Sequence, residues 1–239
     1  MIDRLLAKLR VRDEISPDEE QALRSAVAET RRVRGNETLI RAGEELRSST
    51  LLLDGLMCRY KDNPHGSRQI SELHVPGDFA DLHSFTLKRL DHNVMTLTPC
   101  HIGLVPHEQL KAISEQHPHL TRILWLSTNI DAAIHREWVY SLGQRSALGR
   151  MAHLFCELHA RLEIVGLTDG TSYPLDVTQD ELAECLGVSS VHVNRTLQEL
   201  RRRGLLEFRG RRVTIHDWDE LARVADFDRA YLQLFRAPR

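Results

Sequence analysis

The stretch Thr178-Gln179-Asp180-Glu181-Leu182-Ala183-Glu184-Cys185-Leu186-Gly187-Val188-Ser189-Ser190-Val191-His192-Val193-Asn194-Arg195-Thr196-Leu197 decides the architecture of this 239-residue chain. Thr178 followed three residues later by Glu181 is a capping box, in which each side chain satisfies the other's orphan backbone N–H. The helix it opens turns Leu182, Ala183 and Leu186 toward a core. Gly187 ends it, since a left-handed residue past a helix C-terminus is cheapest as glycine. Ser189 caps a second helix whose Val193, Leu197 and Leu200 repeat at i, i+4 and i+7. Two helices joined by a three- to four-residue turn containing Gly, with the small Ala183 at their crossing, follow helix-turn-helix grammar.

Immediately downstream, Arg201-Arg202-Arg203-Gly204 leads into Leu205-Leu206-Glu207-Phe208-Arg209-Gly210-Arg211-Arg212-Val213-Thr214-Ile215, two strand-patterned runs around a Gly-containing turn: a wing. Between Ser189 and Thr214 there are seven Arg against two Glu, a local charge of +5. The start of the second helix turns Ser190, Val191, Asn194 and Arg195 outward, where a recognition helix meets base edges. An Arg pairs bidentately with guanine, an Asn with adenine, and a Val touches a thymine methyl. Thr178, Ser189, His192, Arg201, Arg211 and Arg212 are the candidate phosphate contacts. An Arg triplet at a helix C-terminus is also ordinary dipole-favoured surface, so the coincidence of capping box, turn, polar face and basic hairpin within 37 residues carries the reading.

That local charge sits in a chain with 32 Lys plus Arg, 34 Asp plus Glu and a net charge of -2, so bulk charge does not hold it to nucleic acid. Residues 141–239 contain 14 Arg and no Lys against 14 acids, which leaves even this half neutral overall. Phosphate attraction acts over a Debye length of roughly 8–10 Å, so a concentrated patch is what matters. Cys58, Cys100, Cys156 and Cys185 lie far apart without zinc-ligand spacing, which disfavours a disulfide framework or a structural metal and suits a reducing compartment. Asp3, Arg4, Lys8 and Arg10 interrupt the opening residues, so no signal peptide is read, and no segment is long and apolar enough for a bilayer. A cytoplasmic protein is expected.

Outside the helix-turn-helix, residues 2–12 alternate apolar and basic residues at helical spacing, and Ser16-Pro17-Asp18-Glu19 is a strong helix start. From Val33 to about Pro106, short apolar runs alternate with turn residues, as in an antiparallel roll. A long helix then starts at His117-Pro118 and ends near a Gly143 break. Its Leu120, Ile123, Ser127, Ile130, Ile134 and Trp138 alternate three- and four-residue steps, which suits either a dimer seam or packing on the chain's own domain. A further helix is expected over 147–163, then a loop at 166–173. The expected fold is α+β: an N-terminal antiparallel β-roll with leading helices (1–116), a dimerisation helix and hinge (117–145) and a C-terminal winged helix-turn-helix (146–239).

This arrangement, over about residues 15–235, resembles the cyclic-AMP receptor and fumarate–nitrate-reduction regulator (CRP/FNR) superfamily of bacterial transcription factors. The resemblance rests on Leu51-x-x-x-Gly55, Pro76-Gly77-Asp78-Phe79, the long helix, and Thr178-Gln179-Asp180-Glu181-Leu182-Ala183 with Leu186-Gly187-Val188-Ser189 and Val193-Asn194-Arg195. It implies a homodimeric, effector-controlled regulator, not an enzyme, that binds double-stranded DNA at a palindromic operator and contacts RNA polymerase. No paired carboxylates, Ser/His/Asp grouping or phosphate-cradling Gly loop at usable spacing argues for catalysis.

Three departures from the family pattern sharpen the expectation. Cyclic-nucleotide-binding members carry a Gly-Glu pair for the ribose and an Arg-Ser or Arg-Thr clamp for the phosphate. Here Phe79-Ala80-Asp81-Leu82-His83-Ser84-Phe85 and Leu90-Asp91-His92-Asn93 stand in those segments. Asp81 offers a substitute carboxylate, whereas Asp91 sets like charge against a phosphate, with Arg89 nearby as a shifted clamp. Asp81, His83, Ser84, Arg89 and Asp91 are the candidate effector residues, and cyclic AMP is not expected to bind with useful affinity. No Cys precedes Cys58, against the N-terminal cysteine group of iron–sulfur relatives, so no cofactor is expected and the effector is unassigned. Val191 replaces the Glu of many relatives and accepts no hydrogen bond, so the operator should differ from theirs.

Two features stay open. His65, His74, His83, His92 and His101 recur every nine residues, which is either chance spacing or a gathering of imidazoles for a metal or haem. Cys185, within the first helix of the pair, is either a small packed residue or a redox-sensitive one. The rival readings are accordingly a cyclic-nucleotide-responsive member clamped by Arg89 and a metal-binding β-roll protein.

Overall fold

The computed structural model describes residues 1–238, which form two compact units. The first comprises Met1–Lys61, Leu73–Ala132 and the residues from Gln233 onward; the second comprises Asp62–Glu72 and Ala133–Leu232.

In the first unit, helices α1 (Asp3–Arg10) and α2 (Pro17–Ala26) lead the chain. The Ser16 hydroxyl accepts from the Glu19 N–H at 3.3 Å while Glu19 accepts from the Ser16 N–H at 2.9 Å, the capping box that starts α2 ahead of Pro17. Strands β1 (Glu29–Val33), β2 (Thr38–Ile40), β3 (Ser48–Asp54), β4 (Met57–Asp62) and β5 (Arg68–His74), whose Arg68–Glu72 belong to the second unit, precede a one-turn helix α3 (Ser84–Leu87). Then come β6 (Asn93–Thr96), β7 (Cys100–Pro106), α4 (His107–Gln116) and the long α5 (Pro118–Gln144). The strands form two sheets of order β1-β7-β3 and β2-β6-β4-β5, with β1/β7, β3/β7, β2/β6 and β4/β6 antiparallel.

The apolar run in β3 follows from this layering. Leu51 and Leu53 enter a cluster with α1 residues Leu5 and Leu9 and with Ile113 and Ile123, while Leu52 enters a second cluster with Met57, Val94 and Ile102. A strand covered on both faces reads as continuous hydrophobics rather than alternation. Gly55, at φ +95°, turns the chain between β3 and β4; a Cβ there would come within 2.7 Å of the Pro99 carbonyl.

Helix α5 ends at Gln144, next to the expected Gly143 break, and the division between units falls within it, after Ala132. Of the stripe read from spacing, Leu120, Ile123, Ile130, Ile134 and Trp138 are all buried within the single chain. Ser127 is half-buried and donates to the Ile123 carbonyl at 3.0 Å. Six residues exposed on α5, Arg122, Trp125, Asn129, Ala132, Arg136 and Val139, repeat the same three-and-four spacing on another face. A heptad pattern alone does not tell which of two such stripes meets the chain's own core.

In the second unit, α6 (Ala147–Glu163) is buried along most of its length. Its Glu157, fully buried, accepts from the Trp138 indole at 3.1 Å, the Arg161 guanidinium at 2.9 Å and the Tyr231 hydroxyl at 2.7 Å. There follow β8 (Ser172–Pro174), α7 (Gln179–Leu186), α8 (Ser190–Arg202), β9 (Leu206–Arg209), β10 (Arg212–Ile215) and α9 (Trp218–Ala225). The sheet order β8-β10-β9 shows that the segment expected as loop contributes a strand: Ser172, Tyr173 and Pro174 pair antiparallel with β10. No helix among the described residues is long and apolar enough to cross a membrane.

Candidate nucleic-acid interface and effector site

Helices α7 and α8 are set by local chemistry. Thr178 Oγ1 accepts from the Glu181 N–H at 3.1 Å and the Glu181 carboxylate accepts from the Thr178 N–H at 2.6 Å. Gly187 closes α7 in the left-handed region at φ +63°. Side chains from elsewhere in the same unit occupy the last carbonyls of α7: the Gln69 amide donates to Glu184 at 2.6 Å and Arg150 to Leu186 at 2.8 Å. Ser189 caps α8, its hydroxyl accepting from the His192 N–H at 3.3 Å. Leu182, Ala183, Leu186, Val193 and Leu200 are buried beneath, while Leu197 of the predicted repeat is half-buried.

The outward face of α8 carries the residues read as base contacts. Val191 is 73% exposed, a cost to a protein that leaves it in water and a ready methyl contact for one that does not. Asn194 is exposed and lies in a polar row, accepting from the Gln198 amide at 2.9 Å and donating to Gln179 at 3.4 Å. Ser190 is turned back, its hydroxyl donating to Asp180. Arg195 is exposed and, among the described residues, has no ion-pair partner. Gln179 and Gln198 were not chosen from the sequence, because α7 was read for its core face and the second turn of α8 was read for its apolar repeat.

The phosphate candidates are exposed apart from the half-buried His192, and the arginines among them are engaged within the chain. Arg201 pairs with Glu207 at 3.3 Å, Arg211 with Asp176 at 2.8 Å and Arg212 with Asp169 at 3.4 Å. Arg202 and Arg203 flank Glu199 at 2.9 and 2.6 Å and hold its carboxyl down at about 2. Exposed pairs of this kind contribute about 0–1 kcal/mol, so they yield readily to a phosphate. Arg209, exposed on the wing, belongs with this set. Cys185 is buried, as a packed residue would be.

The five candidate effector residues fall in different settings: Asp81 and Ser84 are buried together, His83 is half-buried, and Arg89 and Asp91 are exposed. Asp81 is fully buried, accepts from the Thr50 N–H at 2.5 Å, and is raised by burial to about 6. Ser84, also buried, lies 3.1 Å from His107 Nε2. Arg89 is exposed and bonds Glu45 at 2.9 Å and the Gly43 carbonyl at 2.8 Å; Asp91 is exposed and pairs with Lys61 at 2.7 Å. His83 comes to within 4.0 Å of Asp131 and meets His92 at a tilt, ring centroids 5.6 Å apart, while His65 is exposed and His101 is half-buried on β7. The charge missed from sequence is Arg59, a buried guanidinium on β4 that donates to the Ala80 carbonyl at 2.8 Å and to Asp131 at 2.8 Å. It stands in an apolar run, where nothing local marks it as paired.

Comparison with known proteins agrees with this architecture. Residues 30–117 match the cyclic nucleotide-binding domain and residues 149–224 the Crp-like helix-turn-helix domain. The chain is 24% identical over 220 residues to the transcriptional activator protein anr of Pseudomonas aeruginosa, covering 92% of this chain and 90% of that one. It is 23% identical over 197 residues to the fumarate and nitrate reduction regulatory protein of Escherichia coli (strain K12), covering 82% and 78%. Among solved structures, FixK2 from Bradyrhizobium japonicum superposes with a TM-score of 0.75 at 23% identity, covering 83% of this chain and 97% of that one. With a cyclic-nucleotide-binding domain ahead of a Crp-like helix-turn-helix and relatives matched along most of its length, the chain belongs to the CRP/FNR family of transcriptional regulators.

Proposed function

We propose that this regulator acts as a cytoplasmic homodimer on a palindromic operator, with residues 1–116 as sensor, 117–145 as dimerisation helix and hinge, and 146–239 as reader of DNA. The observation that carries the reading is Arg195, exposed on α8 beside Asn194 and Val191 and without an ion-pair partner among the described residues. A free guanidinium at the start of such a helix suits bidentate readout of guanine. The two-fold partner surface is the exposed stripe of α5 containing Trp125, Ala132 and Val139, and the dimer sets two recognition helices about 34 Å apart, one turn of duplex. RNA polymerase is the partner expected of a regulator bound in this way.

The signal is not cyclic AMP in this reading, since Arg89 and Asp81 are both committed elsewhere. An effector acts by binding one dimer geometry better than another, because equal affinity for both shifts nothing. Titration of operator DNA with Arg195→Ala tests the assignment: a loss of about 1–3 kcal/mol with relaxed preference at one base pair is expected. Unchanged affinity and preference would place base reading elsewhere.

A further inference from the structure

We propose that the cavity between α3, α4 and the first half of α5 binds a small, neutral, mainly apolar molecule that carries a hydroxyl or N–H donor. The cavity measures about 350 Å³, within the size range of small-molecule sites, and lies wholly in the first unit. Leu82, Phe85, Leu110, Ile113 and Leu124 supply its apolar walls, and Trp125, 67% exposed, stands at its rim.

The polar groups on the wall define the ligand's chemistry. Ser114 donates to the Lys111 carbonyl at 2.7 Å, Thr121 to His117 at 2.9 Å and Thr128 to Leu124 at 3.2 Å. With their protons committed to helix carbonyls, these hydroxyls present acceptor lone pairs, which a ligand donor satisfies. No carboxylate, ammonium or guanidinium lines the cavity among the described residues, so a charged ligand would lose its hydration without a partner. His83, the one wall imidazole, is held neutral near pH 7, burial lowering it to about 4.

His83 also joins the cavity to the sensor's interior. Its Nδ1 lies 4.0 Å from Asp131, the α5 carboxylate that Arg59 holds from β4. A molecule seated against His83 and Leu124 therefore bears on α5, the helix the proposed function assigns to the dimer. That consequence rests on the regulator reading, whereas binding in the cavity does not.

The test uses the full chain and N-phenyl-1-naphthylamine, a neutral fluorescent aryl amine with one N–H. Saturable binding of one probe per chain is expected, with quenching of tryptophan emission by energy transfer from Trp125. Ser114→Phe, which fills the cavity from α4, should weaken probe binding about tenfold or more while Ser114→Ala retains it. Trp125→Phe should keep the binding and remove most of the quenching, which decides the matter even if Ser114→Phe fails to fold. Absence of saturable binding, or quenching unchanged in Trp125→Phe, would overturn the site. Operator affinity measured alongside separates the two readings: probe binding without any DNA binding would leave the cavity standing and remove the regulator role.

Discussion

The guanidinium of Arg59, on β4, donates to the carboxylate of Asp131, on α5, across 2.8 Å, and the arginine side chain is almost wholly buried. The pair fastens α5 to the roll at the level of His83 and His92. Removing one partner of such a pair leaves a buried charge uncompensated, a larger penalty than the pair's own net worth.

Asp131→Ala should therefore destabilise the first unit by about 2–3 kcal/mol, toward the lower end because Asp131 retains some solvent access. Urea unfolding followed by circular dichroism measures it. A midpoint unchanged from wild type would show that Ala80 and solvent suffice for Arg59.

Acid should act through the imidazoles with a defined sign. Burial lowers His83 and His153 to about 4, so between that value and the ordinary 6.5 the unfolded chain binds protons that the folded chain refuses. Stability is then lost as pH falls from about 6.5 toward 4. His119 works oppositely: its hydrogen bonds to the carboxylates of Glu19 at 2.7 Å and Asp13 at 3.3 Å raise it, so its contribution is present below about 6.5 and lost as pH climbs through its folded value. His119→Gln should flatten the alkaline side of the stability profile and leave the acid side intact. An unchanged alkaline side would remove His119 from the account.

On the wing, Arg211→Ala and Arg212→Ala should each weaken binding to all DNA sequences alike and reduce the salt slope by up to about one. Asp176→Asn frees Arg211 from its 2.8 Å partner and should strengthen non-specific binding. Altered base preference without an altered salt slope would contradict the phosphate role.

For the dimer, Val139→Arg on the exposed stripe should shift the protein toward monomer in analytical ultracentrifugation with its fold intact. Ile123→Ala, in the buried stripe, should instead cost about 2–5 kcal/mol of stability. The reverse outcome would restore the seam first read from spacing.

The helix-turn-helix was legible because capping, turn and apolar repeat are local: Thr178, Gly187, Ser189 and Val193 each act within a few residues of themselves. So was the roll, through Leu51-Leu52-Leu53 and the turn residues between runs. What depends on distant partners was not legible. The spacing that places Trp138 in a stripe gives no sign of Glu157, nineteen residues on, which accepts its N–H. Arg89 sat close in sequence to a clamp position, yet its side chain reaches Glu45. Arg59 gave no sign at all, because a buried charge is explained only by the partner that neutralises it. The strand at Ser172 was hidden by a turn-rich composition and exists because β10 offers it an edge.

Selection of bound sequences from a random duplex pool, run with the wild-type chain and with Arg195→Ala, tests the central claim most directly. The account predicts a two-fold symmetric site with half-sites about one helical turn apart, and loss of one guanine preference per half-site in the variant. Enrichment of no symmetric site, or the same preferences in both proteins, would contradict it.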